Sequence, residues 1–156
     1  DFCVGTFGKA FGSFGAYIAC SKEVREYLIN RCGGLIYATA LPPGILGSID
    51  AAIDLIPLLN DRRAKLVNLG NIFRKKLSKM QIPFGTSSTQ IIPYIIGNEK
   101  DTLGIAKGLL RNGIYAPAIR PPTIPNGLSR IRFSLSSSHS KLDINYLSEV
   151  LAKIRK

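Results

Sequence analysis

The sequence predicts an α/β protein in two parts that meet near residue 60. In the first part, apolar runs at 1–7 and 15–21 flank a glycine-rich centre, a pattern typical of two strands joined by a tight loop. Near residue 60, a long helical pattern changes from continuously apolar to one-sided, as expected where a helix leaves one core and enters another. Residues 81–156 alternate helical and strand patterns, which indicates a small α+β unit.

The first part is predicted to be buried along most of its length. Residues 2–21 contain a single charge, Lys9, so both strands are expected to lie inside a core. A short helix is predicted at 22–31. After a Leu-Pro-Pro break at 41–43, apolar residues dominate the helical pattern of 45–59, and we expect that segment to be buried as well.

The second part begins with a surface helix. Its apolar residues, spaced three and four apart, form one stripe: Leu66, Leu69, Phe73, Leu77 and Met80. An apolar strand follows at 91–96, and its Pro93 indicates a sheet edge or a bulge. A helix is predicted at about 101–112, with Gly113 ending it, and a short strand at 114–119.

The last strand and the last helix have the clearest patterns. Residues 130–136 alternate, with Ile131, Phe133 and Leu135 on one face and Arg130, Arg132 and Ser134 on the other. Ser140 and Asp143 have a spacing similar to that of a capping box, which predicts where the last helix begins. The apolar face of that helix consists of Leu147, Val150, Leu151 and Ile154.

Composition narrows the function classes. The 156 residues are 46% hydrophobic and 20% charged, which is typical of a globular chain with its own core. Three cysteines without a Cys-x-x-Cys pair, and a single histidine, argue against a disulfide framework and a zinc site and favour the cytoplasm. No window resembles a membrane span. Because the chain starts with neither Met nor a basic leader, we expect it to begin inside a longer protein.

The net charge of +11 leaves a nucleic-acid-binding module open as an alternative. However, the basic residues are spread along the chain, with short clusters only at 62–63, 74–76 and 153–156. The first two clusters fall on the polar face of the predicted surface helix. A solvated surface that attracts anionic ligands is therefore favoured over a specific nucleic-acid site, whose signature would be salt-dependent binding.

Lys9 is the candidate catalytic residue. It is the only charge in twenty residues, and its neighbours are glycines and phenylalanines. Burial lowers the pKa of a lysine, and a neutral amine is what Schiff-base chemistry requires. The residues alone leave a surface lysine and a functional lysine equally open.

Three segments resemble the signatures of a known family. Residues 5–12 (GTFGKAFG), with Gly-Ala at 15–16, are similar to the cofactor-lysine segment of the α-oxoamine synthases. These are fold-type I pyridoxal-phosphate enzymes that condense an amino acid with an acyl thioester. Residues 36–43 (IYATALPP) resemble the second signature of the family, and 120–133 with His139 resemble its C-terminal one. The three segments occur in the family's order, and the resemblance extends over the whole chain.

The resemblance implies roles for five residues. Lys9 would carry pyridoxal 5'-phosphate as a Schiff base and then act as the base at the amino acid's Cα. Thr6 would bind the cofactor phosphate, and Thr39 would reach the phosphate of the neighbouring subunit, which implies a homodimer. Arg132 would form a bidentate pair with the amino-acid carboxylate. Arg120 would either meet a carboxylate as well or be exposed to solvent. No metal is implied.

The resemblance also implies substrates and domains. Residues 120–125 are most similar to the family's biotin-pathway members, which join L-alanine to a pimeloyl group carried by coenzyme A or a carrier protein and release carbon dioxide. A sibling synthase of the glycine C-acetyltransferase or aminolevulinate synthase type, and an inactive remnant of a broken gene, stay open. Residues 1–60 would end the large cofactor domain, and 61–156 would form the small C-terminal domain.

Several positions depart from the family pattern or have two interpretations. Gly33 stands where many relatives have arginine, and Ala38 replaces a frequent hydroxyl residue. Tyr37 would either border the active site or pack, and for His139 a structural role at the helix entry is favoured. The residues that contact the cofactor ring lie upstream of the lysine in the family, so we expect this chain alone to be inactive.

Overall fold

The structure, a computed structural model, describes residues 2–155 and divides into two units, one ending at Leu59 and one beginning at Asn60. The first unit starts with an antiparallel hairpin of strands β1 (Phe2–Thr6) and β2 (Ala16–Cys20). Within it, Thr6 lies opposite Ala16 at the end nearest the connecting loop. The two strands predicted around a glycine-rich loop are therefore confirmed.

Among the described residues, the first unit also contains three α-helices: α1 (Lys22–Arg31), α2 (Gly33–Ile36) and α3 (Pro43–Leu55). Helix α1 begins where predicted, because the Ser21 side chain accepts a hydrogen bond from the backbone N–H of Val24. Helix α3 starts with a proline in its first turn, where the missing N–H costs no intrahelical hydrogen bond.

The prediction that the first part is buried is wrong for most of its residues. Phe7 and Ile49 are its buried hydrophobic side chains in the described chain. Exposed large hydrophobic side chains occur on the hairpin and on α3, among them Phe2, Val4, Ile18, Leu46 and Ile53. An apolar sequence favours leaving water, but a side chain becomes buried only where another element covers it. Much of this unit's apolar surface has no such cover within the described residues.

The long helix predicted to pass through residue 60 is two helices. Helix α3 ends at Leu55, a single 3-10 turn follows at Ile56–Leu58, and α4 spans Asn60–Lys79. Proline inside the apolar run has no N–H for the helical ladder, and Leu59 leaves the helical conformation with a ψ of 37°. The assignment of the two units to a large and a small domain stays a prediction.

The second unit is a three-stranded antiparallel sheet with helices on one face. Strands β3 (Ile91–Gly97), β4 (Ala118–Ile119) and β5 (Ser129–Ser134) are arranged in the order β3-β5-β4. Helices α4, α5 (Glu99–Arg111) and α6 (Lys141–Ile154) supply most of the cover. Side chains from all three helices and from β3 and β5 form one core that includes Leu69, Phe73, Leu77, Ile92, Leu109, Ile131, Phe133 and Leu151.

The edge or bulge predicted for the strand with Pro93 is confirmed, since β3 pairs with β5 alone among the described strands and has an irregularity between Ile95 and Gly97. The strand predicted at 114–119 is mostly wrong, because β4 has two residues. Gly113, with φ at +74°, ends α5, and the N–H of Ile114 donates to the Leu109 carbonyl at 3.0 Å. The backbone directly after Gly113 therefore forms hydrogen bonds with the end of α5 rather than with a neighbouring strand.

The capping box predicted at the start of α6 is confirmed. The backbone N–H of Ser140 donates to the Asp143 carboxylate at 2.7 Å, and the Asp143 N–H donates to the Ser140 hydroxyl oxygen at 3.2 Å. Hydrogen bonds from the Ser140 N–H and hydroxyl lower the pKa of Asp143 below its ordinary value of 3.8. The ionised carboxylate is thus the form that the helix start stabilises.

Asp143→Asn is expected to lower the melting temperature at neutral pH. A carboxyl whose pKa is lowered by folding stabilises the folded state above its unfolded pKa, and this contribution is lost as the pH falls through the lower folded value. The difference in melting temperature between the variant and the wild type should therefore shrink as the pH falls below 3.8. Glu149→Gln is the control, because it removes an exposed carboxylate from the same helix without touching the cap, and it should change the melting temperature less.

Among residues 2–155, no helix is long and apolar enough to cross a membrane. The described side chains also form no group of three or more His, Cys, Asp and Glu that could hold a metal ion. The three cysteines are free thiols.

Candidate functional site

The loop between β1 and β2 presents Lys9 on a hydrogen-bonded turn. Phe7 closes the loop, because its N–H donates to the Gly15 carbonyl at 2.9 Å and its carbonyl accepts from the Ser13 N–H at 3.0 Å. Within the loop, the Gly12 N–H donates to the Lys9 carbonyl at 3.0 Å, and Gly12 has a φ of +63°, which favours glycine. The backbone at Lys9 is therefore held in one geometry.

Aromatic packing supports the base of this turn. The Phe7 ring lies edge-on to Phe11 at a centroid distance of 5.1 Å and contacts Tyr17 at 5.2 Å. A Cβ on Gly5 would overlap the Tyr17 ring, which explains glycine at that position. The rings pack on one another and leave Lys9 exposed, so the prediction that its apolar neighbours bury it is wrong for the described chain.

A pair of serine hydroxyls that the sequence does not predict connects the loop to α3. The Oγ atoms of Ser13 and Ser48 lie within hydrogen-bonding distance, at 2.5 Å. The Ser48 hydroxyl also lies 2.9 Å from the Ile45 carbonyl oxygen of the same helix, to which it donates. The two serines are 35 residues apart in sequence, and no local pattern signals such a contact. The link fixes the position of the Lys9 turn against the start of α3.

The two threonines implied by the resemblance both lie in the first unit and are exposed. Thr6 is the last residue of β1, three residues before Lys9 and on the same hairpin. Thr39 lies in the connection between α2 and α3. Tyr37 caps α2 and is 88% exposed, so it does not pack in the described chain. Thr6 and Lys9 therefore share one hairpin, whereas Thr39 lies on a separate segment of the same unit.

Arg132 lies on the open face of the sheet in the second unit. The predicted alternation of β5 is confirmed, with Ile131 and Phe133 buried and Arg132 exposed. The Arg132 N–H donates to the Pro117 carbonyl at 3.0 Å, which holds this part of β5 beside the residues before β4. The guanidinium makes no hydrogen bond to any described residue, so its donors are free to bind a ligand.

Arg132 contributes to the wall of a groove of about 400 Å³. The groove is lined by Tyr115, Pro117, Ile119, Arg132 and Ser134. Polar groups of Arg132, Ser134 and Tyr115 and apolar surface of Pro117 and Ile119 both contribute to the walls, and the guanidinium offers charged donors to an anion. The groove can therefore accept an anionic group such as a carboxylate.

The remaining two candidates in this unit already have partners. Arg120 pairs with Glu99 at 3.4 Å, and both side chains are about half exposed. Such a surface ion pair contributes about 0–1 kcal/mol, so Glu99 would be a weak competitor for a substrate. His139 accepts a hydrogen bond from the Ser136 N–H at its Nδ1 atom, 3.1 Å away, directly before the helix cap at Ser140. This contact supports the structural role expected of His139.

Comparison with known proteins identifies the family. Residues 1–151 match the family model for Aminotransferase class I and II. The chain belongs to that family. The family match agrees with the predicted α/β fold of pyridoxal-phosphate enzymes, and the relatives below confirm the resemblance to the α-oxoamine synthases.

Two proteins with similar sequences carry the same enzyme name. A protein of Paramagnetospirillum magneticum, provisionally named 8-amino-7-oxononanoate synthase, is 52% identical over 94% of this chain and 38% of its own length. The 8-amino-7-oxononanoate synthase of Gluconacetobacter diazotrophicus is 46% identical over 97% of this chain and 38% of its own length. The chain thus spans less than two fifths of each of these proteins.

Solved structures share the fold. Serine palmitoyltransferase of Sphingomonas wittichii matches 99% of this chain and 39% of its own, with a TM-score of 0.93 and 27% identity. The 8-amino-7-oxononanoate synthase of Francisella tularensis matches 97% of this chain and 44% of its own, with a TM-score of 0.86 and 29% identity. A structure of SPT with a PLP internal aldimine, 23% identical, also has this fold. The fold is therefore that of a pyridoxal-phosphate-dependent family.

Proposed function

We propose that this chain is part of an α-oxoamine synthase that joins L-alanine to a pimeloyl thioester and forms 8-amino-7-oxononanoate. The observation that carries the proposal is the identity of 46–52% to relatives with this name, over 94% of the chain or more. Because the chain spans 38% of those relatives, the activity is proposed for the whole protein, and the chain alone is expected to be inactive.

Lys9 and the threonines would hold the cofactor. Pyridoxal 5'-phosphate, when bound, supplies an electron sink for the carbanion at the amino acid's Cα. The Lys9 amine would attach it covalently and, once freed by the substrate, take the proton from Cα. The Thr6 hydroxyl would donate to the phosphate of the same subunit and Thr39 to that of its partner, which makes the proposed enzyme a homodimer.

The two arginines would position the substrates. Arg132 would bind the L-alanine carboxylate with two parallel N–H donors and so fix the direction of the Cα–H bond relative to the base. Arg120 would exchange Glu99 for a second substrate carboxylate, at little cost because that ion pair is exposed. The three free thiols are consistent with the reducing, cytoplasmic location that we propose.

Parallel assays with three amino acids test the proposal. The whole protein, loaded with pyridoxal phosphate, is incubated with pimeloyl-coenzyme A and either L-alanine, glycine or L-serine, and the condensed product is measured by mass spectrometry. We expect kcat/KM for L-alanine to exceed that for the other two by at least tenfold, since a missing methyl group alone changes selectivity about 10–200-fold.

Other results would point to other functions. A preference for glycine would identify a sibling synthase, and a preference for L-serine with a long-chain thioester would follow the structural similarity to serine palmitoyltransferase. Absence of product with every amino acid, in a protein that binds the cofactor normally, would support the inactive remnant.

A further inference from the structure

The open face of the sheet carries a second free polar group beside Arg132. Ser134 is two residues further along β5, so its side chain lies on the same face. It is exposed, it lines the same groove, and its hydroxyl makes no hydrogen bond to any described residue. Its neighbour across the ladder on β3 is Ile91, which offers no partner.

Ser134 also sits on a rigid part of the unit. It is in the ladder with Ile91, and the adjacent Phe133 and Leu135 are buried in the core. A side chain whose backbone is fixed by sheet pairing and whose neighbours are packed is pre-organised for binding. Tyr115, the other hydroxyl in the groove, lies outside the strands and is 83% exposed, so its position is less constrained.

We propose that the Ser134 hydroxyl is a second hydrogen-bond donor to the carboxylate bound by Arg132. The inference rests on the proposed function, because it adds a residue to the site that Arg132 forms there. The Cα atoms of residues i and i+2 of a strand, such as Arg132 and Ser134, lie about 6.7 Å apart. Because both side chains leave the same face of the strand, a carboxylate held by the guanidinium could also accept a hydrogen bond of about 2.8 Å from the hydroxyl.

This arrangement has a chemical consequence for the ligand. A carboxylate has about four acceptor sites on two oxygens, and a guanidinium in fork geometry fills two of them. A hydroxyl on one side of the guanidinium fixes the rotation of the carboxylate about its C–C bond, and with it the orientation of the amino group and Cα. Ser134 would therefore act in substrate binding and orientation rather than in proton transfer.

The test compares Ser134→Ala and Ser134→Thr with the wild type in the whole protein loaded with pyridoxal phosphate. Dissociation constants are measured by calorimetry for L-alanine and for ethylamine, which has the amine but no carboxylate. We expect Ser134→Ala to weaken L-alanine binding about five- to tenfold and to leave ethylamine binding unchanged, because only the carboxylate accepts from the hydroxyl. Ser134→Thr keeps the hydroxyl and should restore the affinity to within about twofold.

Steady-state kinetics give an independent readout. KM for L-alanine should rise in Ser134→Ala while kcat changes little, which a general loss of structure would not produce. If wild type prefers L-alanine to ethylamine but Ser134→Ala binds both like the wild type, the inference is wrong and the proposed function stands. If the wild type shows no preference for the ligand with a carboxylate, the carboxylate site of the proposed function fails, and the role of Ser134 fails with it.

Discussion

Lys9→Ala is expected to abolish covalent attachment of pyridoxal phosphate and to lower kcat/KM of the whole protein by on the order of 10³-fold or more. The substitution removes the amine that holds the cofactor and also the base that takes the Cα proton, and a general base alone contributes about 10²–10⁴-fold. We expect the substitution to leave the fold unchanged, because the Lys9 side chain is exposed and no described contact depends on it. Borohydride reduction in the presence of pyridoxal phosphate, followed by peptide mapping, measures the attachment.

The control for this experiment is Lys22→Ala. Lys22 is also exposed and belongs to the same unit, at the first position of α1, so its loss tests whether any surface lysine reacts. In the wild type, label should concentrate on Lys9 and be displaced by L-alanine added before reduction. Label scattered over many lysines would contradict the assignment and would favour the inactive remnant.

Phe73→Ala is expected to give the largest loss of stability, about 3–5 kcal/mol in the free energy of unfolding of the second unit. Phe73 is fully buried in the middle of α4, and its ring lies edge-on to Phe133 of β5 at 5.2 Å. The substitution removes that aromatic pair and leaves a cavity between a helix and the sheet. Urea denaturation followed by circular dichroism measures the change.

Val67→Ala on the same helix is the matched control. Val67 is 61% exposed, so its truncation creates no cavity and should change the free energy of unfolding by about 0.5 kcal/mol or less. Similar losses from both substitutions would contradict the packing of Phe73 on β5 as the source of the effect, because alanine raises helix propensity at both positions and truncation of Val67 leaves no cavity.

The elements that could be predicted from the sequence are those set by neighbouring residues. The Ser140–Asp143 cap, the alternation of β5 and the edge position of Pro93 each depend on residues a few positions apart, and all three are confirmed. The break in the predicted long helix could also have been predicted, since Pro57 lies within the apolar run. The prediction of one long helix followed the continuous apolar pattern and not the proline that interrupts the helical hydrogen bonds.

Burial and tertiary contacts could not be predicted in the same way. Residues 2–21 and 45–59 are apolar enough for a core, yet whether they are covered depends on surfaces outside their own sequence. The link between Ser13 and Ser48 spans 35 residues and has no local signal. Lys9 was identified from its isolation among apolar residues and from the family resemblance, while its exposure became apparent only in the structure.

The alternation of β5 has a consequence for how this protein can change over time. Ile131 and Phe133 point into the core, whereas Arg132 and Ser134 point into the groove. Adjacent residues of one short strand are therefore constrained by different properties, namely core packing and ligand binding. A substitution at Ile131 or Phe133 therefore affects folding, whereas a substitution at Arg132 or Ser134 affects ligand preference. Specificity can therefore drift at every second position while the scaffold stays intact, and a library restricted to those outward positions should yield mostly folded proteins.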